Sequence, residues 1–315
     1  MFKKNKEYSQ LKVNLSNPFK GRRWLNLLKV DNKLGFFLTP NVNIRLRSIL
    51  GFTFKSNKYG FHGSECHNAN NVILGTSFGM GFGVDEGKNW FQLEQKIEQN
   101  YFNLSLPVSP KNHLNALDKE YSGNYSTLIY LYHPNVWKIA SGFYKAEFVK
   151  QDIFEYLGWK KSKFTLLYSL PKWILKSLYM RIKGIHIKHK YKEIVYSANC
   201  HYNLYDKNKP ELQRSLNDLI KIFSRFQRVY VFRIPIKEQI INNRINNKKL
   251  KELNQNYDEC WESLENCKEI QSMGNIDIID LCKSADFNLD DYLSNDTHWS
   301  PSGNQVFFNI VSKYI

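Results

Sequence analysis

Residues 71–90 read NVILGTSFGMGFGVDEGKNW, and the rest of the chain is organised around them. The short apolar run Val72, Ile73 and Leu74 has the composition of a buried strand, and it ends in a Gly-Thr-Ser-Phe turn. The turn is expected to leave Ser77 at the C-terminal edge of a sheet, with small residues around it. That edge is where open α/β sheets bind ligands and carry out chemistry.

A second stretch, residues 294–303 (SNDTHWSPSG), supplies what a serine hydroxyl lacks. An alcohol is a weak nucleophile until an imidazole accepts its proton and a carboxylate holds that imidazole in the right tautomer. Asp296 and His298 offer both groups two residues apart. We therefore predict Ser77 as nucleophile and His298 as base, oriented by Asp296. The plain alternatives are a small residue in a tight turn for Ser77 and an ordinary packed histidine for His298.

The pair GTSFGMG and DTHWSPSG resembles the first and last conserved blocks of the SGNH (GDSL-like) hydrolase superfamily, whose members hydrolyse or transfer acyl groups on sugars and lipids. Residues 53–65 (TFKSNKYGFHGSE) are similar to the N-x-x-G-F-R lead-in of polysaccharide-associated members, with His62 where an Arg is usual. Residues 126–137 (STLIYLYHPNVW) resemble the block that supplies an oxyanion-hole Asn, here Asn135; a simple Pro-Asn turn is the alternative for that residue.

The chain departs from the family pattern at three places. Thr76 stands where an Asp usually precedes the nucleophile. The Gly of the second block has no counterpart in residues 103–109 (NLSLPVS), which leaves a backbone N–H of Val108 or Ser109 as the candidate donor. The last block has a D-x-H spacing in place of D-x-x-H, a form associated with members that act on exopolysaccharides.

The resemblance implies an α/β fold, a flavodoxin-like three-layer α/β/α sandwich with a mainly parallel five-stranded sheet. It also implies a serine-dependent esterase or O-acyltransferase, acetyl being the expected group, that acts on a cell-surface glycan or its precursor. The oxyanion would be held by the Ser77 backbone N–H and the Asn135 amide. Neither a metal nor a resident cofactor is expected, although a transferase would use an acyl donor such as acetyl-CoA. The alternative is a catalytically silent module that binds glycan or lipid-linked carbohydrate.

The composition supports a globular protein: the chain has 315 residues, of which 42% are hydrophobic and 15% aromatic. Its five cysteines are odd in number and show no C-x-x-C spacing, so neither a disulfide framework nor a zinc site is predicted. The basic N-terminus is not followed by an apolar run, and no apolar span reaches the ~20 residues of a membrane-crossing helix. We therefore expect a cytoplasmic protein.

The net charge of +16 is concentrated in two segments. Residues 1–50 hold eleven Lys or Arg against two acidic residues, and residues 160–192 hold ten against none. The rest of the chain is slightly acidic. This distribution argues against the whole protein being a nucleic-acid-binding protein, a function that would predict affinity falling steeply with salt.

The chain divides into an arm at residues 1–70, expected to pack on the core, and a catalytic domain at residues 71–315 with a basic helical insert at about 143–199. Within the domain, strands alternate with helices, which is typical of a parallel sheet with right-handed crossovers. Strands are predicted at residues 72–74, 101–106, 126–132, 228–236 and 276–281. Helices are predicted at residues 89–99 (capped by Asn89), 210–226, 248–267 and 301–314 (capped by Ser300).

Within the insert, residues 164–183 (FTLLYSLPKWILKSLYMRIK) predict a basic amphipathic helix. Its lysines Lys172, Lys176 and Lys183 lie off the apolar face, and Trp173 and Tyr179 lie near the boundary. Three interpretations stay open: a helix packed on the body of the protein, a cap over the active site, and peripheral contact with an anionic membrane at the inner face. The third would suit a substrate carried on a lipid at that surface.

Overall fold

The computed structural model describes residues 12–13, 28–31, 34–46, 52–133, 185–189, 192–196, 210–242, 248–293 and 298–315. Two predicted site residues, Asn135 and Asp296, lie outside these ranges. So does the predicted amphipathic helix with Lys172, Trp173, Lys176, Tyr179 and Lys183.

Strands and helices alternate along most of the described chain. In chain order the strands are β1 (Lys12–Val13), β2 (Leu28–Asp31), β3 (Gly35–Leu38), β4 (Asn43–Leu46), β5 (Thr53–Lys55), β6 (Asn71–Gly75), β7 (Tyr101–Asn103), β8 (Thr127–Tyr132), β9 (Ile185–His189), β10 (Lys192–Tyr196), β11 (Arg228–Arg233) and β12 (Ile276–Asp280). The α-helices are α1 (Gln95–Asn100), α2 (Pro110–Glu120), α3 (Pro210–Phe223), α4 (Lys237–Asn242), α5 (Lys248–Glu265), α6 (Lys268–Gln271), α7 (Leu281–Ser284) and α8 (Pro301–Val311).

The central sheet has five strands in the order β12-β11-β8-β6-β7, and every neighbouring pair is parallel. The predicted parallel five-stranded sheet is therefore confirmed. When the five strands are numbered along the chain, from β6 as the first to β12 as the fifth, their order across the sheet from the β7 edge is second, first, third, fourth, fifth. This is the flavodoxin-like order. The sheet changes its direction of winding between β6 and β8, so a crevice is expected at the carboxyl ends of these two strands.

Apolar side chains alternate between the two faces of this sheet. Val72 and Leu74 join one core cluster with residues of α2, α3 and α5, whereas Ile73 joins a second cluster with residues of α8. Successive side chains of a strand point to opposite faces, so the sheet lies between two helical layers. Phe54 and Phe61, which precede β6, are buried in the first cluster as well.

Smaller sheets complete the described structure. Strand β4 pairs with β1 and β5, and β2–β3 and β9–β10 are antiparallel pairs. The sequence predicted none of these strands, because their apolar runs are short and interrupted by basic residues. Helix α2 was also not predicted; it begins at Pro110, and the side chain of Ser109 caps it by accepting the Asn112 N–H.

One predicted helix is wrong. Residues 89–99 do not form one helix capped by Asn89; a 3₁₀ turn at Trp90–Gln92 comes first and α1 starts at Gln95. Asn89 makes no capping bond, because its carboxamide is packed under Gly81 and donates to the Gln92 side chain at 2.7 Å. Tertiary packing has overridden the local helical pattern.

His113, on the inner face of α2, is a titratable group that makes the stability of the fold depend on pH. It is fully buried and hydrogen-bonds the Leu106 carbonyl at 2.9 Å through Nε2. Burial lowers its pKa to about 4 from an ordinary value of 6.5. Between these values the unfolded chain binds more protons than the folded chain, so stability falls as the pH falls through this window.

We expect His113 alone to lower the free energy of unfolding by about 3 kcal/mol between about pH 7 and pH 4. His113→Gln removes the titration and keeps an N–H donor, so its stability should fall by less over the same window. Urea denaturation at a series of pH values measures the difference, with His67→Gln as the control at a half-buried position. Parallel pH dependences for His113→Gln and wild type would contradict this assignment.

Candidate active site

Ser77 lies two residues beyond the end of β6, on the side of the sheet where β6 meets β8. It is half-buried, whereas its neighbours Thr76 and Phe78 are buried. The serine is therefore partly accessible at the sheet edge where the strand order predicts a crevice.

Residues 76–83, here called the serine turn, are held in a compact turn by hydrogen bonds between their own backbone groups. Phe82 N–H donates to the Ser77 carbonyl at 2.9 Å, and Met80 N–H donates to the Thr76 carbonyl at 3.1 Å. Gly79 packs so tightly against Ser105 that an added Cβ would lie 2.4 Å from the Ser105 hydroxyl oxygen. Gly79 thus allows the turn to pack directly on the segment that follows β7.

His298 Nε2 lies 2.6 Å from Ser77 Oγ, which is hydrogen-bond distance. The predicted proximity of these two side chains is confirmed; their roles stay predictions. For Nε2 to take the serine proton, the ring hydrogen must sit on Nδ1, where an acceptor would hold it. The sequence assigns that acceptor to Asp296. The rings of Phe78 and Phe82 flank the imidazole with centroids 5.1 Å away in each case, which restricts its rotation.

Four described residues, Tyr292, Leu293, His298 and Trp299, here called the histidine loop, are joined by short-range contacts. Tyr292 and Trp299 form an antiparallel bridge, and the Leu293 N–H donates to the His298 carbonyl at 2.9 Å. The Trp299 ring is buried and stacks on Phe307 of α8. The Ser300 side chain then caps α8 by accepting the Gly303 N–H, so the predicted cap is confirmed.

Two further contacts tie this loop to the segment that follows β11. The Tyr292 hydroxyl donates to the Pro235 carbonyl at 2.7 Å, and the Lys237 ammonium donates to the Leu293 carbonyl. Lys237 is buried. Neither contact could be predicted from a local pattern, because the paired residues are 56 or 57 positions apart.

The lead-in at residues 53–65 holds the serine turn from the other side. The Asn57 side chain accepts the N–H groups of Tyr59 and Phe61, and Gly60 between them has a φ of 82° that favours glycine. The turn at residues 57–61 places the buried His62 against the serine turn, where His62 Nδ1 contacts the Met80 carbonyl at 2.5 Å. The N-x-x-G-F pattern is thus a local turn that places the residue after it.

His62 Nε2 contacts the Glu86 carboxylate at 2.7 Å. The ring of His62 therefore lies between two acceptors, the Met80 carbonyl and the Glu86 carboxylate. Burial alone would raise the pKa of Glu86, but its interactions with His62, Gln92 and the Lys55 N–H outweigh burial and lower it. The sequence had assigned His62 no role.

Of the donors that could hold an oxyanion, the backbone N–H groups of Ser77 and Val108 lie in the described chain and Asn135 lies outside it. Among the described residues, the Ser77 N–H has no hydrogen-bond partner. The Val108 N–H, one of the two candidates for the missing glycine, donates to the Leu106 carbonyl at 2.8 Å and is therefore occupied. Within the same part of the chain, the buried Thr76 hydroxyl also has no partner.

Two kinds of feature are absent from the described part of the chain. The described ranges contain no group of three or more His, Cys, Asp or Glu side chains that could hold a metal ion. They also contain no helix that is both long and apolar enough to cross a membrane.

Comparison with protein-family models and with curated protein sequences finds no match to this chain.

Proposed function

We propose that this protein is a serine-dependent esterase or O-acyltransferase, with Ser77 as nucleophile and His298 as general base. The observation that carries this function is the 2.6 Å contact between Ser77 Oγ and His298 Nε2 at the carboxyl edge of the parallel sheet. A serine hydroxyl with an imidazole nitrogen in hydrogen-bond reach is the geometry that nucleophilic acyl transfer requires.

The chemistry proceeds in two steps. As Ser77 Oγ bonds to the acyl carbon, its proton passes to His298 Nε2, and the carbonyl oxygen becomes an oxyanion held by the Ser77 N–H and the Asn135 amide. When the tetrahedral intermediate collapses, the bond to the leaving oxygen breaks and that oxygen takes the proton from Nε2. Removing one oxyanion donor typically costs about 3 kcal/mol of transition-state stabilisation. Asp296 orients His298 through Nδ1.

The second step decides between the two activities. Water, deprotonated by His298, releases the acid and gives an esterase, whereas a sugar hydroxyl accepts the acyl group and gives an O-acyltransferase. We assign the substrate to an acylated carbohydrate of the cell surface or its precursor, on the resemblance of the Asn57–His62 lead-in and the D-x-H spacing of Asp296 and His298. An acyl donor such as acetyl-CoA would serve the transferase.

Mass spectrometry of the purified protein after incubation with p-nitrophenyl acetate tests this function. We expect an acetyl adduct on the peptide that contains Ser77, together with labelling of the same residue by a fluorophosphonate probe. Ser77→Ala should carry neither modification. A folded wild-type protein that acquires no adduct, or acquires one only at another residue, would contradict the proposal. Adding candidate sugars and following loss of the adduct separates transfer from hydrolysis.

A catalytically silent carbohydrate-binding module is the second candidate. The observation that favours it is the Val108 N–H, which is bonded to Leu106 and so is not directed at an oxyanion. Such a module would bind acylated oligosaccharides in calorimetry with the same affinity before and after Ser77→Ala. It would not react with the fluorophosphonate probe. Probe labelling of wild type therefore separates the two candidates.

A further inference from the structure

Lys237 is the first residue of α4, four positions after β11 ends. Its exposed fraction is only 2%. Removing an ammonium from water is costly unless hydrogen bonds replace its hydration, so a buried lysine needs firm acceptors. Residue 237 is also on the carboxyl side of the sheet, the same side as Ser77.

One acceptor that the ammonium contacts belongs to the histidine loop. Lys237 Nζ donates to the Leu293 carbonyl, and the Leu293 N–H donates to the His298 carbonyl at 2.9 Å. His298 Nε2 in turn meets Ser77 Oγ at 2.6 Å. Two hydrogen bonds, one to the carbonyl and one from the N–H of Leu293, therefore connect the ammonium to the backbone of His298, whose side chain meets Ser77.

Leu293 has no room to move towards the serine turn. A Cβ added to Gly83 would lie 2.6 Å from Leu293 Cδ1 and 3.5 Å from His298 Cβ. Leu293 is thus held between the serine turn on one side and Lys237 on the other. Loss of the ammonium would free the Leu293 carbonyl, and His298 would be able to shift with it.

We infer that Lys237 is a positioning residue for the proposed acyl-transfer reaction: its ammonium fixes Leu293, and through Leu293 it fixes the distance from His298 to Ser77. The inference rests on the proposed function of this pair. A second anchor lies at Tyr292, the residue before Leu293, whose hydroxyl donates a hydrogen bond to the Pro235 carbonyl. The two anchors have different roles, because Tyr292 holds the loop to the segment that follows β11 and Lys237 sets the position of His298.

Lys237→Met tests this role because methionine keeps most of the length and apolar packing of lysine and removes the ammonium. A displacement of the order of 1 Å in a catalytic group typically costs about 100-fold in rate. We expect kcat for p-nitrophenyl acetate and the rate of fluorophosphonate labelling at Ser77 to fall by about that factor, with KM changed less than threefold. The control is Lys283→Met, which removes an exposed lysine of α7 and should leave both rates unchanged.

Chemical rescue distinguishes charge from packing. Lys237→Ala should regain part of its kcat when propylammonium is added and none when 1-propanol is added, because only the first replaces the hydrogen-bond donor and its charge. Equal rescue by both, or a wild-type rate in Lys237→Met, would overturn the inference.

A separate outcome is that the Lys237 variants do not fold. If neither variant folds, even with propylammonium present, Lys237 supports the fold and the positioning role is rejected. If wild type itself takes no label at Ser77, the proposed function fails before Lys237 is tested.

Discussion

Ser77→Ala and His298→Ala should each lower the turnover of p-nitrophenyl acetate by roughly 10⁴- to 10⁶-fold, and the double variant should be no more than a few-fold slower than either. The two side chains share one hydrogen bond of 2.6 Å, and in the proposed mechanism they act in one proton transfer, so removing either should remove the whole step. Steady-state kinetics of the three variants measures the effect, and far-ultraviolet circular dichroism confirms that each is folded.

Matched controls are available in the same chain. His67→Ala and Ser122→Ala change residues of the same types that lie outside the candidate site, and both should keep turnover within about twofold of wild type. Losses that add in the double variant of Ser77 and His298 would mean that the residues act in separate steps. Activity in Ser77→Ala equal to wild type would exclude a serine nucleophile at this position.

Gly303→Ala should cause the largest loss of stability among simple glycine substitutions near the site. Gly303 lies in the first turn of α8, and an added Cβ would lie 2.1 Å from the Asp291 carbonyl oxygen and 3.1 Å from Trp299 Cβ. Backbone cannot move aside as a side chain can, because the same Asp291 carbonyl accepts the Ser300 N–H at 2.8 Å. We expect a loss of about 3 kcal/mol in the free energy of unfolding.

Urea denaturation measures this loss, with Gly274→Ala as the control. A Cβ at Gly274 would meet nothing within 4 Å, so the same chemical change should alter stability by less than about 0.5 kcal/mol. Gly303→Ala should also reduce turnover, because the start of α8 follows His298 by three residues. A change no larger than that of Gly274→Ala would show that the contact between α8 and Asp291 relaxes easily.

The central sheet could be predicted because local pattern and topology agree. Apolar runs such as Val72–Leu74 mark its strands, and alternation with helices requires a parallel arrangement. The meeting of Ser77 and His298 follows from the same logic, since one residue follows a strand and the other precedes the capped helix at Pro301. Roles assigned to Asn135 and Asp296 stay predictions.

Local pattern failed where a neighbour in space decides the conformation. Asn89 has the sequence context of a helix cap, but its carboxamide is packed under Gly81, eight positions earlier. The start of α2 at Ser109 and Pro110 did carry a recognisable Ser-Pro capping signal that went unused. Lys237 and the His62–Glu86 pair carried no such signal, because their partners are 24 to 56 positions away.

The hydrogen bond between Ser77 and His298 joins residues 221 positions apart, one after the first strand of the central sheet and the other just before its last helix. Contacts of such long sequence separation form late in folding, because the intervening chain must first be ordered. During synthesis, the ribosome releases Ser77 long before His298 is made. Under the proposed function, an unfinished chain therefore carries the nucleophile without its base, and acylation of Ser77 has to wait for the last helix of the fold.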